Sequence, residues 1–188
     1  MLNFNLINEN IDTVASSISN RKDIGLSWAY ELENVFTDDF LNKIELKFSE
    51  NLMWESVKLQ EKLPRRSIPW QPDSVIEEAH NIFKSLTTPI SELFCRDVKF
   101  VSINFWDDSE KYTIGPHLDN DEISIAIQVY VNDASINLGT EFYKDSKLYH
   151  KIPWKKNSGY ILNNTFESYH GMTAITTANR HSLYAIFK

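Results

Sequence analysis

The sequence predicts a β-rich α+β fold in a single domain, on three observations. A chain of 188 residues with 42% hydrophobic and 13% aromatic content is long enough for one sizeable core. From Lys99 onward short alternating runs follow one another: KFVSINFW, EISIAIQVYV, GTEFY, KIPW, SGYILN and RHSLYAIF. Each is bounded by Asp, Asn or Gly turn signals. The first half carries helix signals instead. Strands of this spacing suggest a sandwich, and eight of them in two sheets would make a jelly roll, or double-stranded β-helix. The expected organisation is one domain over 1–188, with 1–98 as mixed or helical support and 99–188 as the jelly-roll core. No internal repeat, low-complexity segment or sharp composition shift divides it.

Taken in order, LSWAYELENVF (26–36) alternates as a strand leading into a turn. Thr37-Asp38-Asp39 can then cap a helix whose inner face is Phe40, Ile44 and Phe48, at the spacing of a buried stripe. Residues 58–72, KLQEKLPRRSIPWQP, carry three prolines, two adjacent arginines and a tryptophan, and read as a long loop. Ser74 and Glu77 match a capping box, opening a helix with Val75, Ala79, Ile82, Phe83 and Leu86 inward. Thr88-Pro89 reads as the start of one more short helix, since proline fits the first helical position.

Composition narrows the function classes. A net charge of -7 argues against general nucleic-acid coating, although a local basic groove stays compatible with it. Cys95 is the single cysteine, so no intrachain disulfide forms, which suits a reducing cytosol; it reads as a small buried hydrophobe. MLNFNLINENID lacks the basic and apolar regions of a signal peptide, and no long uncharged apolar run suggests a membrane span. The expectation is a soluble, cytoplasmic protein, in which the Asn163-Asn164-Thr165 sequon is a chance match.

The chemistry concentrates in one stretch, 111–143. His117 and Asp119 are one residue apart, so on an extended strand both side chains share a face. An imidazole and a carboxylate side by side can hold a first-row divalent metal, and His170 in SYHGM is the candidate third ligand. Ten residues later stands Arg180, opening an alternating strand, with Ser182 on the same face. Blander readings stand beside these. His-x-Asp next to Gly115-Pro116 also suits a turn, His170 a core histidine, and Arg180 an ion-pair partner for a nearby acid. Tyrosines on strands mostly pack. His181 should face away from Arg180, and His80 and His150 read as surface or packing residues.

The order His117-x-Asp119, His170, then Arg180-x-Ser182 resembles the Fe(II)- and 2-oxoglutarate-dependent dioxygenases, and within them the prolyl 4-hydroxylase-like branch. Tyr112 before the His-x-Asp pair, Tyr130-Val131-Asn132 closing the next strand and the Gly139-Thr140-Glu141-Phe142 return add to the resemblance, which covers about 99–188. It implies Fe(II) held by His117, Asp119 and His170, and 2-oxoglutarate chelating the metal. Its far carboxylate would be anchored by the Arg180 fork. Ser182, Tyr130 and Tyr112 would add hydrogen bonds, and Asn104 would line the pocket. O2 would be the oxidant and ascorbate a reductant, with succinate and CO2 released as substrate is hydroxylated. The branch implies a prolyl or other peptidyl side chain as substrate. The alternatives are the same chemistry on a nucleobase or small metabolite, and a non-catalytic metal-binding jelly roll acting as a sensor or interaction module. Two basic, aromatic segments, 58–72 and 143–156, are candidates for substrate contact; a solvated hairpin is the plainer reading of the second.

Overall fold

The computed structural model describes residues 4–50, 55–56, 65–68, 72–133, 138–176 and 178–188. In chain order, helix α1 (Phe4–Ser19) leads into strands β1 (Lys22–Leu26) and β2 (Ala29–Glu33), then helix α2 (Asp38–Ser49). Strands β3 (Glu55–Ser56) and β4 (Arg65–Ile68) precede helices α3 (Ser74–Ser85) and α4 (Thr87–Phe94). The remaining strands are β5 (Phe100–Asp108), β6 (Ile114–His117), β7 (Ile125–Tyr130) and β8 (Gly139–Lys144). They continue through β9 (Lys147–Pro153), β10 (Ser158–Asn163), β11 (His170–Met172) and β12 (Arg180–Phe187).

Eight strands form the jelly roll: β10-β7-β12-β5 in one antiparallel sheet and β6-β11-β8-β9 in the other. The first half of the chain does more than support it. The pairs β1-β2 and β3-β4 extend the larger sheet at its two edges, giving the order β1-β2-β10-β7-β12-β5-β4-β3. The run expected over 26–36 is accordingly split, with Leu26 closing β1 and Ala29–Glu33 forming its hairpin partner.

Arg65–Ile68, expected within a loop, is also a strand, paired with β5. The two arginines that suggested a loop are matched across the pair by Asp108 and Asp107, which removes the cost of holding cations on a sheet. The rest of 58–72 lies outside the described residues, apart from Pro72.

Helix α2 starts where expected, with the Thr37 hydroxyl accepting from the Phe40 amide at 3.3 Å and Phe40, Ile44 and Phe48 buried. Helix α3 is capped one residue before the expected Ser74. The Asp73 carboxylate accepts from the amides of Val75 and Ile76 and is itself held by Lys47 at 2.8 Å, so it satisfies more donors than a serine could. Helix α4 starts earlier than expected, at Thr87, so Pro89 occupies the third position rather than the first; an amide there would still lack an intrahelical partner. Cys95, expected to be buried, is exposed: it stands at the end of α4 as the C-cap, in a left-handed conformation (φ 48°), beyond the helix's packed face.

Two cores flank the larger sheet. On its outer face Phe40, Ile44, Ile82, Phe83, Leu86 and Ile90 of the helices pack against Ile127, Val129, Leu183 and Phe187. Between the sheets lie Tyr112, Tyr130, Phe142, Trp154, Tyr160, Met172 and Tyr184. Residues 143–156 contain the β8-β9 hairpin, turned through Asp145 and Ser146, both at positive φ as its tight turn requires. No helix among the described residues is long and apolar enough to cross a membrane.

Candidate metal centre

His117 and His170 are cross-strand partners on β6 and β11, which puts their rings 4.6 Å apart, centroid to centroid. The close approach depends on Gly171, where a Cβ would lie 2.7 Å from the Gly115 carbonyl oxygen of the facing strand. Both imidazoles are oriented by one device: Nδ1 lies 2.9 Å from the carbonyl oxygen two residues earlier, Gly115 for His117 and Ser168 for His170. Nδ1 thus donates to the backbone, and the Nε2 lone pair of each ring is left for a metal.

Asp119 reaches the same point by a route other than the expected one. Strand β6 ends at His117, and Asp119 stands in the loop beyond, so strand alternation does not set its direction. The Tyr184 hydroxyl does, donating to Asp119 Oδ2 at 2.7 Å, while Oδ1 lies 3.8 Å from His170 Nε2. One ligand atom from each of His117, Asp119 and His170 falls within 4.8 Å of the others. Burial, and then the proximity of His170, hold His117 below the usual imidazole range, which favours the neutral, ligating form. Two neutral imidazoles and one carboxylate suit a first-row divalent ion with positions left for other ligands.

The inner face of β12 leads away from this point. Arg180, Ser182 and Tyr184 succeed one another along it, so Arg180 and Tyr184 are about 13 Å apart along the strand. Arg180 is buried, and its Nη2 donates to Asp108 Oδ2 at 2.6 Å. Nη1 contacts the Met172 sulfur, and the guanidinium carbon lies 4.3 Å from the Trp154 ring centre and 5.0 Å from that of Tyr112. Arg180 Nε and the Tyr112 hydroxyl are buried with no hydrogen-bond partner among the described residues. Burial pushes Tyr112 up to about 12, so its hydroxyl keeps its proton and can donate. Two orphaned donors beside a guanidinium fit an anion.

Of the other expected residues, Ser182 is buried and accepts from Gln128 Nε2 at 3.0 Å. Tyr130 pairs with it across the sheet, shares a 2.7 Å hydrogen bond with Thr140 and stacks on Trp154 at 4.0 Å, so its hydroxyl is already engaged. Asn104 is half-buried opposite Tyr184, on the inner face with Trp106. His181 faces away, as expected, stacked on Phe48 at 4.3 Å.

Sequence reasoning missed Tyr184, Gln128, Tyr160, Asp108 and Arg65. Tyr160 donates to Gln128 Oε1 at 2.7 Å, extending the polar row from Ser182. Asp108 joins Arg180 to Arg65, whose Nε and Nη2 grip its two oxygens at 2.5 and 3.1 Å. The available signal was the match of Arg65-Arg66 with Asp107-Asp108, two adjacent pairs of opposite charge.

No family model and no curated protein matches this chain by sequence. Solved structures do match by fold. A prolyl hydroxylase of Trichoplax adhaerens, in complex with a hypoxia-inducible-factor peptide, aligns at TM-score 0.70 and 10% identity over 100% of this chain and 93% of its own. A Pseudomonas putida prolyl-4-hydroxylase aligns at 0.67 and 11% identity over 95% and 98%. HygX of Streptomyces hygroscopicus, with nickel and 2-oxoglutarate bound, aligns at 0.65 and 11% identity over 85% and 82%. At such identities the likeness is one of fold, and the fold is the jelly roll of 2-oxoglutarate-dependent oxygenases.

Proposed function

We propose that the chain is an Fe(II)- and 2-oxoglutarate-dependent dioxygenase that hydroxylates a prolyl or other peptidyl side chain. One observation carries this reading: three metal-ligating atoms converge at one end of the inner face of β12, and a buried arginine with an unsatisfied Nε stands at the other. His117, Asp119 and His170 would hold the iron. Arg180 and Tyr112 would take the remote carboxylate of the co-substrate, with Ser182, Tyr130 and Asn104 as the wall between. When bound, iron and 2-oxoglutarate supply the oxygen-activating chemistry that hydroxylates the substrate and releases succinate and CO2.

The chain's own part is geometric. The Gly115 and Ser168 carbonyls keep Nε2 of both histidines available, and Tyr184 turns the Asp119 carboxylate toward them. The stacking of Trp106 on Tyr184, 4.3 Å apart, and of Tyr130 on Trp154 fills space between the sheets and would keep water from the site. A cleft of about 620 Å³ supports a peptide substrate. It is lined by Trp28, Pro116, Tyr143, Phe166 and Tyr169 among others, and Pro116 and Tyr169 directly precede the two ligating histidines. The single cysteine is exposed, and a reducing cytoplasm would keep it a thiol.

The test is an anaerobic titration with Fe(II) and 2-oxoglutarate, watching for a visible metal-to-ligand charge-transfer band. The expected band needs both additions and disappears in His170→Ala. A folded protein that gives no band would remove the enzyme and favour a metal-binding or interaction module. Arg180→Ala should raise the dissociation constant of 2-oxoglutarate about a hundredfold, because it removes a buried charge-assisted partner while Asp108 keeps Arg65. Fe(II) binding should stay unchanged.

A further inference from the structure

Arg180 on its own is a poor anchor for an anion, because Asp108 already neutralises it. Asp108 is fully buried, and the Arg180 ion pair at 2.6 Å would leave an incoming carboxylate facing a charge-balanced pair. A second cation changes that balance. Arg65 sits directly opposite Asp108 on β4, as Arg180 does on β12, so all three side chains share the inner face of the sheet. Both arginines donate an Nη2 hydrogen bond to the same oxygen, Asp108 Oδ2. Both guanidinium groups flank the Tyr112 ring, with carbons 4.6 Å (Arg65) and 5.0 Å (Arg180) from its centre. Arg65 is further fixed over Trp106 at 3.8 Å and keeps Nη1 beyond the two nitrogens spent on Asp108.

Two arginines around one carboxylate leave a net charge of +1, held mostly out of water. An uncompensated buried charge is costly, and an anion at the Tyr112 hydroxyl and Arg180 Nε would neutralise it. At the other end of β12, a divalent ion on one carboxylate and two neutral imidazoles also carries +1. A dianion with a carboxylate at each end matches both centres. The Asp108 carboxylate further locks the two forks in one orientation before the ligand arrives, which lowers the ordering cost of binding.

The geometry points to Arg65 as a specificity-determining residue: with Arg180 it forms a two-arginine site, pinned by Asp108, that selects a dicarboxylate 2-oxo acid over a monocarboxylate one. This rests on the co-substrate reading above.

The test is calorimetric titration of the full chain, loaded with Mn(II), using 2-oxoglutarate and 2-oxopentanoate, whose remote carboxylate is replaced by methyl. The preference for the dicarboxylate, the ratio of the two dissociation constants, should fall about tenfold in Arg65→Gln, the size of one charge-assisted hydrogen bond. Arg65→Lys should restore most of it. A purely structural arginine would weaken both ligands alike, and an unchanged ratio in folded Arg65→Gln overturns the role of Arg65 alone. A wild-type protein that binds Mn(II) but not 2-oxoglutarate overturns the co-substrate reading and this inference with it. Should Arg65→Gln not fold, arginine side-chain NMR of the wild type, assigned with Arg65→Lys, decides. 2-Oxoglutarate should shift two guanidinium signals that 2-oxopentanoate leaves in place, and a shift of only one overturns the proposal.

Discussion

The two faces of the larger sheet are buried alike and built differently. Along β7 and β12 the outward residues are Ile125, Ile127, Val129, Leu183, Ala185 and Phe187, packed under the helices. The inward residues of the same strands include Ala126 and Ile186 but otherwise are Gln128, Tyr130, Arg180, Ser182 and Tyr184. Neighbours in sequence therefore serve different ends: one row supplies apolar burial, the next supplies hydrogen bonds and charge.

The contrast persists at the charged end of the sheet. On the inner face Asp108 joins Arg65 and Arg180 beside two orphaned donors. On the outer face Asp107 pairs with Arg66 and lies 3.5 Å from His181, which is closed over by Phe48. Burial works to raise the Asp107 carboxyl, but the nearby His181 ring and the Arg66 hydrogen bond outweigh it and hold the group below its usual range. One cluster lies against helix α2 and the solvent, and the other shares the inner face of β12 with Tyr184, the residue that holds Asp119, so the inner one is on the side of the candidate metal ligands.

Adjacent residues on β12 give the sharpest ways to break this comparison. Leu183→Ala should destabilise the fold by about 3 kcal/mol, seen as a lower urea midpoint, because it opens a fully buried position on the outer face. Metal affinity of the folded fraction should not change; a large change would mean that the faces are not independent. On the inner face, His170→Ala should weaken Fe(II) or Mn(II) binding at least a hundredfold, roughly 2.7 kcal/mol, and leave far-UV circular dichroism intact. Tyr184→Phe should cost about tenfold in metal affinity, since it frees the Asp119 carboxylate without opening a cavity. A metal affinity equal to wild type would make that hydrogen bond structural only.

The smallest effect lies under the helices. Lys47 and the Val75 and Ile76 amides pull the Asp73 carboxyl below its usual range against the opposing effect of burial. A depressed carboxyl stabilises the fold above its unfolded value of about 3.9, and the contribution is lost as pH falls through the folded value. Asp73→Asn should thus cost about 1 kcal/mol at neutral pH. The difference from wild type should begin to shrink in denaturation curves below about pH 4 and vanish once the pH is below the folded value.

Much of this was legible in the chain. Alternation exposed the jelly-roll strands because both faces of β5, β7 and β12 select residues at period two. His117, Asp119, His170 and Arg180 stood out because their side-chain chemistry is rare in packing roles. Residues 65–68 were misread because proline and paired arginines are local loop signals, and the carboxylates that make them a strand lie more than forty residues away. Tyr184 and Gln128 carried no signal either, since on a strand a tyrosine or glutamine reads as packing until its partner is known.

The sequence by itself determined the fold class, the caps of α2 and α3 to within a residue and the candidate metal-ligand set, because periodicity, capping and ligand chemistry are local properties. Tertiary structure alone decided that β6 stops at His117 while Tyr184 brings Asp119 back, and that Asp108 stands between Arg65 and Arg180. Those arrangements depend on the register between strands far apart in the chain. Register is set by the summed packing of two cores, which no local pattern contains.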